Sequence, residues 1–117
     1  MQRPEAPFAT PATLDAAKRL GTAIRQARLA RNMSLQDCAE RARTSRNTLI
    51  RIELGDVAVR IGSWLSVMEV CNLLHLLFAA SNPDADPLGR TERQREARKR
   101  ARRRPAKATT AKTDYAF

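Results

Sequence analysis

The chain has 117 residues, 22 of them Lys or Arg against 12 Asp or Glu, for a formal net charge of +10. That length suits one small domain, and the basic excess points to a polyanionic partner, either nucleic acid or an acidic membrane surface. The longest nearly apolar stretch, Leu73 to Ala80 around His75, falls far short of the roughly 20 residues that cross a bilayer, and nothing at the N-terminus reads as a secretory signal.

Taken in chain order, residues 1–12 contain Pro4, Pro7 and Pro11 with few apolar side chains, and are expected to form a flexible arm. From residue 13 to residue 80 the apolar spacing is helical throughout. Leu14, Ala17, Gly21, Ile24 and Ala27 share one face of a first helix, with Thr13 as its N-cap and Asp15 suited to the positive helix start. Ser34-Leu35-Gln36-Asp37 reads as a second start, close to a capping box with Asp in place of Glu. Leu35, Cys38, Ala39 and Ala42 give that short helix its buried stripe. Ser45 caps a third helix, Leu49 and Ile52 follow on its inner face, and Gly55 stands where a helix end favours positive φ. In a fourth helix the stripe is Ile61, Trp64, Leu65, Met68 and Cys71; Asn72 ends it in the left-handed conformation, and Leu73 to Phe78 make a short fifth helix. No segment shows the β-branched alternation of a strand. The expected fold class is all-α, a compact domain of four or five helices.

Residues 81–89, Ser-Asn-Pro-Asp-Ala-Asp-Pro-Leu-Gly, form a run of turn and breaker residues and are expected to be a linker. The basic tail follows, residues 90–117. Eleven of the basic residues and three of the acidic ones fall there, a net charge of +8 against +2 for residues 1–89. The tail is rich in helix formers and pairs Glu96 with Arg100 at i,i+4. It has no apolar face, so it is expected to be disordered or conditionally helical, with disorder favoured.

Two short helices separated only by Arg43-Thr44 suggest a helix-turn-helix. Ala39 supplies the small residue that a close crossing needs, and Leu49 and Ile52 supply the inner face of the second helix. The outer face then offers Ser45, Arg46, Asn47, Ile50 and Arg51. Arg can bond guanine bidentately and Asn can do the same for adenine, while the helix start adds outward N–H groups and positive dipole. The run from Met33 to Gly55 resembles the phage lambda repressor/Cro-like (XRE) helix-turn-helix domains, as do Ile24-Arg25-Gln26-Ala27-Arg28 before it and Ile52-Glu53-Leu54-Gly55 at its end.

That resemblance spans about residues 20–74 and implies a lambda-repressor-like fold that binds double-stranded DNA as a homodimer. It implies base contacts from Ser45, Arg46, Asn47, Ile50 and Arg51, and phosphate contacts from Arg25, Gln36, Thr48 and Arg60. It also implies an ion pair between Arg28 and Glu53 tying the first helix to the third. Three positions depart from the family pattern. Arg43 stands where Gly is usual and has to take a left-handed conformation; Thr44 replaces an apolar turn residue; Leu35 replaces a phosphate-bonding Gln, with Gln36 beside it. Downstream, the fourth and fifth helices followed by Asp84-Ala85-Asp86-Pro87-Leu88-Gly89-Arg90 look like HipB-type antitoxin regulators. That likeness implies a HipA-like kinase toxin as a further partner.

Trp64, Cys38 and Cys71 lie on apolar stripes and are expected in the core, and His75 stands without ligand partners. Two cysteines build no disulfide framework, and no Cys/His cluster has zinc-ligand spacing. No metal or cofactor is therefore expected, and no acid/base pair or nucleophile–base pair points to an enzyme. The expected function is a sequence-specific DNA-binding regulator, a repressor working as a homodimer on a palindromic operator, with an antitoxin role subordinate to it. The expected location is the cytoplasm, at the nucleoid and away from membranes. Two alternatives stay open. One is a toxin-neutralising interaction module with little direct DNA readout; the other is a non-specific nucleic-acid-binding protein driven by the tail. Asp114-Tyr115-Ala116-Phe117 holds two of the five aromatics and is a candidate anchor in a partner pocket.

Overall fold

The structure, a computed structural model, describes residues 8–103. These residues form six α-helices and a 3₁₀ turn at Pro83–Ala85, and no strand occurs among them. The chain divides into two compact units, Met1–Leu77 and Phe78–Phe117.

Helix α1 (Pro11–Ala30) begins earlier than the apolar stripe indicates. Thr10, not Thr13, is its N-cap: the Thr10 Oγ1 accepts the Thr13 N–H at 3.2 Å. Pro11 takes the first helical position, where its missing N–H leaves nothing unpaired. Helices α2 (Leu35–Arg41) and α3 (Arg46–Glu53) start at Ser34 and Ser45, whose hydroxyls each accept an N–H three residues on, from Asp37 and Thr48, at 3.0 Å. Helix α4 (Ile61–Val70) follows Arg60 without a side-chain cap. Helix α5 spans His75–Ala80, so Leu73 and Leu74 belong to the turn before it and are half-buried there.

The first four helices end alike. Asn32, Arg43, Gly55 and Asn72 all have positive φ. In each case that residue's N–H returns to the carbonyl three residues back, and the next N–H returns to the carbonyl five back, as in Gly55 to Ile52 and Asp56 to Arg51, both at 2.9 Å. This double bond pattern satisfies two of the orphan carbonyls at each helix end. Gly adopts the left-handed region freely and Asn tolerates it. Arg43 does not, and it sits at φ 57 in the turn between α2 and α3.

Helices α1 and α2 pack on α3, and α4 packs on α2 and α3. The α1–α3 crossing brings backbone onto backbone. A Cβ on Gly21 would collide with the Ile52 carbonyl and lie 2.8 Å from the Glu53 carbonyl oxygen. On the other side, a Cβ on Gly55 would lie 2.7 Å from the Lys18 Cα. The core between these helices holds Ile24, Leu49, Ile52, Val67, Met68, Cys38 and Cys71 fully buried, with Met33, Ala39, Ala42, Val59 and Trp64 around them. Each large aliphatic buried this way contributes about 1.5–3 kcal/mol relative to exposure. The α4 stripe is Trp64, Val67, Met68 and Cys71. Ile61, expected on that stripe, is 73% exposed because it occupies the first position of α4, beyond the edge of the core.

In the second unit the Asn82 Oδ1 accepts the Asp84 N–H at 3.0 Å, and Arg93 Nη2 reaches the Asp84 carboxylate at 3.2 Å. Helix α6 (Pro87–Arg103) has no buried residue. Among the described residues the tail is helical as far as Arg103, one of the two states expected for it. Residues 104–117, with the candidate anchor Asp114–Phe117, lie outside the described residues, as do residues 1–7 of the expected arm.

Candidate nucleic-acid interface

Helix α3 is held in place from behind. Arg28 Nε donates to Glu53 Oε2 at 2.7 Å and Arg28 Nη2 to Glu53 Oε1 at 3.1 Å, while Arg28 Nη1 donates to the Met33 carbonyl at 2.9 Å. Both side chains are 7% exposed. The Glu53 hydrogen bond holds the Arg28 guanidinium above its ordinary pKa despite burial. Three elements therefore share one charge pair: α1, the turn after it, and the end of α3.

The outward side of α3 presents the residues expected to meet bases. Arg46 and Asn47, its first two residues, are exposed, and no side-chain hydrogen bond engages them among the described residues. Ser45 is committed to capping; its hydroxyl accepts the Thr48 N–H and donates to Thr48 Oγ1 at 2.9 Å. Thr48 is half-buried, and its hydroxyl, which accepts the Ser45 bond, keeps its own O–H to donate. Ile50 is half-buried and lines an open groove with Leu35, Arg25 and Leu54. Arg51 is exposed but not free: its Nε donates to Asp56 Oδ2 at 2.7 Å.

The flanks hold the remaining candidates. Arg25 is exposed on α1, on the wall of the groove that contains Ile50. Gln36 is exposed on α2 and donates from Nε2 to Glu40 Oε2 at 2.8 Å, which places a carboxylate beside it. Arg60 lines a separate open concavity with Arg43, Thr44, Gly62 and Ser63 at the uncapped start of α4. The structure thus brings Arg25 together with Ile50, and Arg60 together with Arg43, in two grooves.

Two residues escaped sequence reasoning. In the sequence pattern Arg43 is only a misfit in the turn, yet it shares the Arg60 concavity. Asp56 belongs to none of the sequence motifs. Its Oδ1 accepts the Ala58 N–H at 2.9 Å and its Oδ2 takes Arg51, and these bonds hold its carboxyl below the usual range, the Ala58 N–H foremost. A carboxylate directly after Gly55, five residues from an Arg, was the available signal.

Cys38 and Cys71 are buried side by side; burial pushes the Cys38 thiol up to about 12 and raises that of Cys71 as well. Both stay neutral thiols, poor as metal ligands or nucleophiles. Among the described residues no cluster of His, Cys, Asp and Glu is placed to hold a metal ion, and no helix is long and apolar enough to cross a membrane.

A short helix and the turn from Ala42 to Ser45 present a second short helix outward, on a bundle that supports it from behind. That architecture is a helix-turn-helix domain, the mark of a DNA-binding regulator. A family model described as a helix-turn-helix domain matches residues 19–80, just over half of the chain, and the chain belongs to that family. Searches of curated proteins and of solved structures found no match.

Proposed function

We propose that the chain is a sequence-specific DNA-binding repressor of the lambda repressor/Cro-like (XRE) type, acting as a homodimer on a palindromic operator. One observation carries this reading. Arg46 and Asn47 stand exposed at the capped start of a helix that the buried Arg28–Glu53 pair locks in place. Entering the major groove by that end, α3 brings Arg46 to guanine and Asn47 to adenine, with Arg51 on a further base edge and Ile50 against a thymine methyl. The Ser45 hydroxyl stays at the mouth of the helix, beside the first base pair. Arg25, Gln36, Thr48 and Arg60 hold phosphates, and Arg43 joins Arg60 in doing so.

In this reading the residues before α1 are an arm, those from α1 to residue 80 the DNA-binding domain, those between residue 80 and α6 a linker, and α6 with the residues after it a basic tail. The tail adds sequence-independent attraction to phosphate. Dimerisation is supported by α5, which has no buried residue and exposes Leu76 and Phe78. The likeness of the Asp84–Arg90 run to HipB-type regulators supports a second role, as the antitoxin of a HipA-like kinase toxin acting in the cytoplasm at the nucleoid.

The test is selection of duplexes from a randomised library by the full chain, with footprinting on DNA upstream of its own gene. The expected result is a palindromic consensus with half-sites about one helical turn apart. Retention without any consensus would overturn the reading and favour a non-specific nucleic-acid-binding protein.

A further inference from the structure

We propose that Asp56 is a positioning residue that sets base specificity: it holds Arg51 by Nε, so that the guanidinium's two terminal amino groups meet the DNA as a fixed fork. This inference rests on the DNA-reading function proposed above and names a residue that function does not include.

Asp56 is anchored from three sides. Its N–H donates to the Arg51 carbonyl at 2.9 Å, its Oδ1 accepts the Ala58 N–H at 2.9 Å, and its Oδ2 accepts Arg51 Nε at 2.7 Å. The turn that brings it back over the end of α3 depends on Gly55 at φ +82. The Arg51 side chain remains 49% exposed, and among the described residues no hydrogen bond engages its Nη1 or Nη2. An ion pair this exposed contributes little to fold stability, yet its geometry is specified by three hydrogen bonds. That combination fits a tether.

The chemistry of the fork gives the tether a purpose. A guanidinium has five N–H donors in one plane. With Nε spent on a carboxylate, the opposite edge offers the paired donors that match guanine O6 and N7. A long Arg side chain loses rotamer freedom when it docks. Fixing it beforehand removes that loss from the binding step and also fixes which base edge the fork meets.

The experiment compares the full wild-type chain with Asp56→Asn, Arg51→Ala and the double variant. The probes are the duplex that wild type selects from a randomised library and its single-base variants. Asn at 56 retains an acceptor for the Ala58 N–H and removes the charge that holds Arg51, and thermal unfolding of each variant is followed in parallel. Asp56→Asn is expected to lose on the order of tenfold in discrimination at the guanine whose preference Arg51→Ala abolishes. Discrimination at the other positions stays intact, and Asp56→Asn adds no loss in the Arg51→Ala background. Full discrimination by Asp56→Asn would overturn the proposal. So would an equal loss of affinity on every duplex, or a further loss in the Arg51→Ala background. A wild-type chain with no sequence preference would overturn the DNA-reading function together with this inference, whereas wild-type preference unchanged by Asp56→Asn would overturn this inference alone.

Discussion

Glu53 gives the buried Arg28 two of its three hydrogen bonds, so the two side chains cannot be judged apart. Removing the carboxylate in Glu53→Ala strands a guanidinium in the interior, and about 3–5 kcal/mol of stability is expected to be lost in urea unfolding. Replacing both partners with apolar residues, Arg28→Met with Glu53→Leu, is expected to cost less than the single change, because no charge is left unpaired. Arg43 presents the opposite case, a residue whose backbone is at odds with its side chain. At φ 57 it carries the cost of a left-handed L-residue. Arg43→Gly is expected to raise stability by about 1 kcal/mol, read as a higher denaturation midpoint at unchanged slope. A lower midpoint would show that the Arg43 side chain makes compensating contacts. If Arg43 also holds phosphate, the stabilised variant binds DNA less tightly.

Helix ends carry most of what the sequence shows at the next scale. Ser34, Ser45, Gly55 and Asn72 mark their ends correctly because each acts through its own backbone or one turn away. The start of α1 differs from the expected Thr13 because the apolar stripe begins several residues inside the helix, while Thr10 and Pro11 fix its boundary. Ile61 departs from its expected burial for a related reason. Helical spacing identifies a face, but only packing shows how far along that face the core extends: Trp64 and Met68 are buried and Ile61 is not. The site divides in the same way. The exposure of Arg46 and Asn47 at the start of α3 was legible from the cap and the apolar face opposite. The Asp56–Arg51 contact was not, since it depends on a loop folding back over α3. The α1–α3 crossing offers a direct test at this scale. Gly21→Ala drives a methyl into the Ile52 carbonyl, where backbone cannot yield, and is expected to cost about 1–3 kcal/mol in thermal or urea unfolding. A neutral result would mean that α1 can slide away from α3.

The net charge of +10 belongs mostly to one end of the molecule. Helix α6 carries eight basic and two acidic side chains, all essentially solvent-facing, and no apolar stripe with which to pack. Charge so arranged attracts phosphate without reading sequence. A chain ending at Asp86 is therefore expected to bind its selected duplex more weakly and with a shallower dependence on salt. Its ranking of single-base variants should be that of the full chain. A truncated chain that loses its ranking would place specificity in the tail. The central claim, that the start of α3 reads bases, is tested most directly by the affinity of Arg46→Ala/Asn47→Ala for the duplex that wild type selects. Both side chains are exposed, so the unfolding midpoint should not change. Affinity is expected to fall on the order of a hundredfold, with the ranking of bases lost at the positions they read. Undiminished affinity with the base ranking intact would contradict the account.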